Sequence, residues 1–369
     1  MPGALEGIRV IDFTQHFAGP GTGMYLADQG AEVIKIEPPR GGHDRHAEPF
    51  SNPFLLLNRG KRSIVLDIRT PAGRDVAQAL VKRADVMLVA WQPGQAERLG
   101  YGYEAMRELN PRLVYASITG WGPHGGMALR LGYDRLHQAF TGIMDSNRDA
   151  DGTPMPLPFY LADEAIPPLL AYGIALALLA RERTGQGQKV ETSQLDAQIA
   201  MQSLHFIAPE GRELFATPSS NNAYRTSDGR HVVVMPLTRE DWAALARALD
   251  LPPSDGAISK DVLASTFATR PLAEWEERLT PENVPFAPVL TRAETLQREQ
   301  PWANGMLARQ DHPAAGALVT PSVPVHLSGR AGEVGTPAPA LGQHTRDILH
   351  ELGYEEARIE ALYAGGTVA

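Results

Sequence analysis

The stretch from Tyr160 to Ala197 constrains this chain more than any other. Within it, Ile166–Ala180 is almost wholly Ala, Leu, Ile, Pro, Gly and Tyr. The run is shorter than the roughly 20 residues a bilayer span requires, and it is apolar on every side. It therefore reads as a helix buried in a large core. Pro167 and Pro168 suit a first turn, where their missing N–H groups cost nothing. Arg181, Glu182 and Arg183 close the helix, and Gly185 is a natural stop. Asp163 then falls just before the N-terminus, where unpaired N–H groups and the helix dipole favour the carboxylate over the neutral acid. Such an acid is either a helix cap or an ionised nucleophile.

A chain of 369 residues, 43% hydrophobic and 21% charged, is built as two domains or one large one. Its net charge of −9 argues against nucleic-acid binding. With no cysteine, disulfides, thiol nucleophiles and Cys-ligated zinc are excluded. Met1–Gly7 lacks the charged-then-apolar pattern of a signal peptide, and no segment reads as a membrane span. The expectation is a soluble cytoplasmic enzyme with neither nucleic acid nor membrane as partner.

The N-terminal half alternates strand and helix. Ile8–Thr14 reads as a strand, Gly19-Pro20-Gly21-Thr22-Gly23 as a glycine loop, the residues around Met24–Gln29 as a helix and Glu32–Glu37 as a second strand. That is the βαβ opening of a parallel sheet. The glycine spacing is not the G-x-G-x-x-G of a dinucleotide site, although Glu37 stands near the ribose-binding distance. Gly120-Trp121-Gly122-Pro123-His124-Gly125 does match that spacing, but Pro123 removes a donor and no helix opens there. Pro71–Arg83 is helical by period, and Ala84–Ala90 and Leu113–Thr119 are strands.

Arg40, Arg45, Arg59, Lys61 and Arg62 cluster in an otherwise acidic chain. They are either a solvated surface or a phosphate site, for which Arg and Lys are fitting donors. His43 and His46 lack metal-ligand spacing and read as loop residues, so no metal is expected.

The segment from Arg181 to Ala197 reads R-E-R-T-G-Q-G-Q-K-V-E-T-S-Q-L-D-A. With the aspartate and small-residue helix before it, this resembles the family III (CaiB/BaiF) CoA-transferases, a group that includes formyl-CoA transferase, carnitine CoA-transferase and alpha-methylacyl-CoA racemase. Their pattern is R-x-x-T-G-x-G-Q-x-V-x-x-S-x-x-D-A. The likeness extends over nearly the whole chain: the opening GIRVIDFTQHFAGPGTG, Asn58–Asp67, Pro93-Gly94 with Arg98, Gly132-Tyr133-Asp134 and the C-terminal Leu341-Gly342-Gln343-His344-Thr345. Around Trp91 the chain departs from the family by carrying Val89, Ala90 and Gln92 in place of Glu, Asn and Arg.

The resemblance implies an α/β fold. A large Rossmann-like domain with a parallel sheet spans residues 1–205 and is completed by 340–369. A small α+β domain spans 222–320, and 206–221 and 321–339 are linkers. It implies an interlocked homodimer. It implies that Asp163 is the catalytic aspartate. It implies that coenzyme A is bound as a substrate, with no permanent cofactor, by Lys61, Arg98, Arg40, Arg62 and Asn58, with Trp91 and Tyr133 beside it. The activity implied is transfer of CoA from an acyl-CoA to a carboxylic acid through a covalent aspartyl intermediate. Gly120, Gly122 and Gly125 are candidate oxyanion donors.

Two alternatives stay open. Racemases of the family exchange the proton next to the thioester carbonyl with a histidine and an aspartate, and that histidine is Tyr133 here. Tyrosine, with an ordinary pKa near 10, is a weak base, although His137 lies four residues on. Outside the family, an NAD(P)-dependent oxidoreductase would account for the βαβ opening.

Within the small domain, Asp228-Gly229 signals a hairpin. Thr238–Asp241 and Thr291–Glu294 have the capping-box pattern, and helices are expected over Lys260–Thr269 and Leu272–Leu279.

Overall fold

The computed structural model describes residues 3–42, 45, 52–207, 210, 222–253, 256–328 and 334–369. His43, His46 and most of the 206–221 segment lie outside that set. The chain divides into two compact units, Met1–Leu214 with Gly305–Ala369, and Phe215–Asn304.

The first unit opens with β1 (Arg9–Asp12), α1 (Ala18–Asp28), β2 (Glu32–Glu37), α2 (Asn52–Leu57), β3 (Lys61–Val65), α3 (Pro71–Lys82) and β4 (Val86–Val89). It continues through α4 (Gln95–Leu99), α5 (Tyr103–Leu109), β5 (Val114–Thr119), α6 (Asp134–Phe140), α7 (Ile143–Ser146), α8 (Leu161–Thr184), β6 (Lys189–Ser193) and α9 (Gln194–Met201). The six strands form one parallel sheet in the order β3-β2-β1-β4-β5-β6. Side chains alternate between its faces. Ile11, Ile34 and Met87 enter one core with Val76 and Leu80 of α3, while Val10, Val33, Val86 and Leu88 enter the other with Ile166, Leu170 and Ile174 of α8. The strand order reverses between β1 and β4, so their carboxyl ends open a crevice.

The second unit contains β7 (Ala223–Arg225), β8 (His231–Val234), α10 (Arg239–Ala248), α11 (Lys260–Phe267), α12 (Leu272–Leu279), β9 (Phe286–Pro288), α13 (Arg292–Thr295) and α14 (Glu299–Ala303). Its three strands are antiparallel and its core centres on Phe267 and Trp275. Both expected capping boxes are formed, with Thr238 and Asp241, and with Thr291 and Glu294, bonded reciprocally.

The chain then returns to the first unit with β10 (Leu307–His312), β11 (Gly316–Pro321), α15 (Thr345–Glu351) and α16 (Glu356–Ala364). The small unit, Phe215–Asn304, therefore ends short of the expected 320 and begins before the expected 222. Arg59 accounts for the earlier end: its guanidinium donates to Thr320 and to the Pro321 carbonyl, which fastens the β10–β11 hairpin to the large unit.

Three local expectations are corrected. The glycines 19–23 form no loop, since α1 starts at Ala18. They serve close packing: a Cβ on Gly21 would stand 2.7 Å from Pro167 Cγ of α8. Helix α8 begins at Leu161, so Pro167 and Pro168 lie in its interior and Asp163 lies in its first turn. The start moves because Asp134, at the head of α6, accepts from the Ala162 N–H at 2.6 Å and supplies the cap from a distance in sequence. At 24 residues, with a mean hydropathy of 1.4 over its most apolar window, α8 is long and apolar enough by composition to cross a bilayer, contrary to the sequence reading. Its inner face, however, is packed on the parallel sheet.

Candidate active site

The crevice at the β1/β4 reversal is lined from four directions. Gln15, His16 and Phe17 follow β1, Ala90–Pro93 follow β4, Ile118–Gly120 end β5, and Arg130–Tyr133 precede α6; Asp163 of α8 and Gln194 of α9 close it. Its volume is about 250 Å³. That is below the range of pockets that swallow a drug-sized ligand, and suits the reacting end of a longer molecule. Asp163 is the one carboxylate among these lining residues, and Arg130 the one guanidinium.

Local sequence fixes each wall. A Cβ on Gly120 would stand 2.8 Å from the Gly132 Cα, so two glycines are what lets the β5 loop and the α6 approach touch backbone to backbone. Gln194 is the first residue of α9. Its place is set by the Ser193 cap, which accepts from the Asp196 N–H at 3.0 Å, and by the Leu195 N–H, which donates to the Gly120 carbonyl at 3.1 Å. His16 adopts φ 67°, a left-handed conformation that a non-glycine residue rarely takes.

Gln194 Nε2 donates to Asp163 Oδ1 at 2.9 Å. Burial pushes the Asp163 carboxyl up to about 6; the Gln194 bond opposes the rise, and the negative charges of Asp134 and Glu164 add to it. The direction reverses the expectation from the helix dipole, because burial of the carboxyl outweighs it. At pH 7 the carboxylate still predominates by about ten to one, and it is more basic than an ordinary aspartate. Asp134 is buried and additionally accepts from Gln138 and Gln198, so it is the cap that Asp163 was weighed as.

Trp91 and Tyr133 line the same crevice, Trp91 propped against Phe13 and Tyr101. Arg98 is exposed on α4, one turn beyond the Pro93-Gly94 lip. Arg40 is exposed in the turn after β2 and does not line the crevice.

The basic cluster is otherwise structural, which revises the reading of three residues. Lys61 is buried, and its ammonium donates to Asp12 at 2.8 Å, to the Pro20 carbonyl at 2.8 Å and to Asn58 at 3.1 Å, which uses its three donors. Asn58 is buried in that network, and Arg62 pairs with Glu32 and Glu351. The segment reads as a basic loop in the sequence because β3 brings its cations inward to acids far along the chain. Glu37, in turn, is held by Arg45 and Ser63, leaving no ribose-binding acid at the end of β2. His137 is fully buried with its ring 4.2 Å from that of Trp121, so it does not supply a base to the crevice. Sequence reasoning missed Gln194, His16, Arg130 and the capping role of Asp134. Only the polar Gln between a Ser cap and an apolar helix offered a signal.

The crevice lies at the switch point of a parallel sheet, where folds of this kind bind their ligands, and the sequence model of CoA-transferase family III matches residues 5–345. This chain belongs to CoA-transferase family III. Its similarity to curated members of the family runs end to end. It is 32% identical to the succinyl-CoA:glutarate CoA-transferase of Mus musculus, over 99% of this chain and 90% of that one. To the succinyl-CoA:mesaconate CoA-transferase of Haloarcula marismortui it is 33% identical, over 96% and 97%. Among solved structures, Rv3272 from Mycobacterium tuberculosis superposes with a TM-score of 0.84 at 29% identity, covering 94% of this chain and 99% of that one. The protein is thus an enzyme of CoA transfer, with CoA thioesters as substrates.

Proposed function

We propose that this enzyme moves CoA from an acyl-CoA to a carboxylic acid through a covalent intermediate on Asp163. The observation that carries the reading is that Asp163 is the sole carboxylate lining the crevice among the described residues, with one oxygen held by Gln194. A free carboxylate is a poor acyl acceptor, so direct exchange is slow, and an enzyme carboxylate divides it into easier steps. Asp163 Oδ2 attacks the thioester carbonyl and CoA leaves as thiolate, giving a mixed anhydride. The thiolate then attacks Cγ of Asp163, the donor acid leaves as its carboxylate, and an aspartyl-CoA thioester remains. The acceptor carboxylate repeats the sequence in reverse and departs as its CoA thioester. The small crevice holds the reacting end, and the exposed Arg98 beside the Trp91–Gly94 lip meets a CoA phosphate outside it.

Two of the similar proteins named above act, by their names, on succinyl, glutarate and mesaconate groups. We infer that the acceptor here is likewise a short dicarboxylic acid, its second carboxylate met by Arg130. We also infer a homodimer, because α8 turns Tyr172, Leu176 and Leu179 outward, each 47% or more exposed.

The test is to incubate the enzyme with acyl-CoA alone, quench with hydroxylamine and map peptides. Modification at Asp163 is the expected result. An unmodified Asp163, or full transfer activity in Asp163→Asn, overturns the assignment. Exchange of the α-proton with deuterated water, with no CoA transfer to any acid, replaces it with racemisation.

A further inference from the structure

We propose that Gln194 is a catalytic oxyanion donor to the aspartyl carbonyl, acting each time a nucleophile adds to Cγ of Asp163. This rests on Asp163 being the covalent nucleophile.

The two oxygens of Asp163 have different surroundings. Gln194 Nε2 lies 2.9 Å from Oδ1, and among the described residues no bond to Oδ2 is formed. Oδ2 is thus the free oxygen, the one that attacks the donor thioester. Once it has done so, Oδ1 is the carbonyl oxygen of the anhydride. When the CoA thiolate adds to Cγ, the carbonyl electron pair moves onto Oδ1. Collapse returns that pair and expels the donor carboxylate, which carries Oδ2 away. When the acceptor carboxylate later adds to Cγ, the charge develops on Oδ1 again, and the thiolate leaves. In both additions at Cγ, the oxygen that becomes negative is the one that already accepts from Gln194. A donor placed in advance at hydrogen-bond distance from a developing oxyanion is the arrangement that lowers such barriers.

A second observation concerns the other end of the amide. Its Oε1 is buried without a partner, as is the hydroxyl of Thr119 on the same crevice wall. Orphaned buried acceptors are costly, and this wall of the crevice carries two of them. The Ser193 cap and the bond from Leu195 to Gly120 fix the start of α9, so the amide is presented from rigid backbone.

The test uses Gln194→Met, which keeps the length and removes the N–H, and Gln194→Glu, which keeps the shape and substitutes a like charge. Each is first checked by thermal melting, and the Glu variant decides if the Met variant does not fold. Expected are a fall in kcat of about 10²–10³-fold, slower capture of Asp163 by hydroxylamine, and an acid limb of kcat/KM displaced to higher pH. The limb reports the lost bond to the ground-state carboxylate, and the fall in kcat at pH well above the limb reports the lost donor to the oxyanion, which a purely structural Gln194 would not give. Wild-type kcat in the folded variants at pH above the limb, with Asp163 still captured, overturns the role of Gln194 alone, whether or not the limb moves. Failure to capture Asp163 in the wild-type enzyme overturns the nucleophile and this inference together.

Discussion

The ammonium of Lys61 lies 2.8 Å from Asp12 Oδ2, and both side chains are shut off from solvent. The pair joins the carboxyl end of β1 to the start of β3, next to the crevice but not in it. Burial raises the Asp12 pKa, and the charges of Lys61 and Lys35 with hydrogen bonds from Lys61 and Thr14 more than reverse this, to about 2. Replacing Lys61 with Met strands a buried carboxylate, and should cost about 3–5 kcal/mol of stability in denaturant unfolding. Asp12→Asn in the same chain should recover a large part of that loss.

The same pair sets an acid response. Its folded pKa lies below the ordinary 3.8, so the stability it confers is full above pH 4 and disappears as pH falls toward 2. Unfolding midpoints measured from pH 6 down to 2.5 should drop, and the drop should be smaller in the Lys61→Met, Asp12→Asn double variant.

Asp163 has the opposite sign. Its folded pKa is raised to about 6, so it favours folding fully below pH 4 and that contribution is lost as pH rises through 6. At pH 7 the charge therefore costs about 3 kcal/mol. Asp163→Asn should abolish transfer while raising the melting temperature at pH 7, and the gain should vanish near pH 4. Wild-type kcat/KM should fall below about pH 6 as the nucleophile takes up its proton.

Arg98→Ala should weaken acyl-CoA binding about 5–10-fold, as expected for one lost charge-assisted phosphate contact, with KM for the acyl-CoA donor as the readout. The loss should shrink at high salt, since the exposed contact is already screened there.

Leu176→Lys places a charge on the outward face of α8. Light scattering should show the wild type as a dimer and the variant shifted toward monomer, with the Asp163 crevice of each chain unchanged in its lining.

The parallel sheet was legible in the sequence because it rests on local signals, the alternation of apolar strands and helices, whereas Asp163 was singled out by the family resemblance and expected before the helix rather than in its first turn. What the sequence hid was set across distance. Asp134 caps α8 from 28 residues away, which moved the helix start, and burial reversed the sign expected for Asp163. Lys61 and Arg59 looked like phosphate ligands because their acidic partners, Asp12 and Asp28, lie 49 and 31 residues distant. The glycines of α1 looked like a loop because a glycine's value to a neighbouring helix leaves no mark on its own segment. Of the expected CoA contacts, Trp91 and Tyr133 were brought to the crevice, whereas Asn58, Lys61 and Arg62 were drawn into buried or edge ion networks.

Gly21 carries no chemistry, yet a single added carbon there would press within 2.7 Å of Pro167, one turn of helix beyond Asp163. The acid cannot yield on its own, because its helix is a single packed rod on the sheet. A screen of random variants scored only by turnover would therefore rank position 21 among the reacting residues, and soluble, well-folded protein with displaced acid would be what it had found.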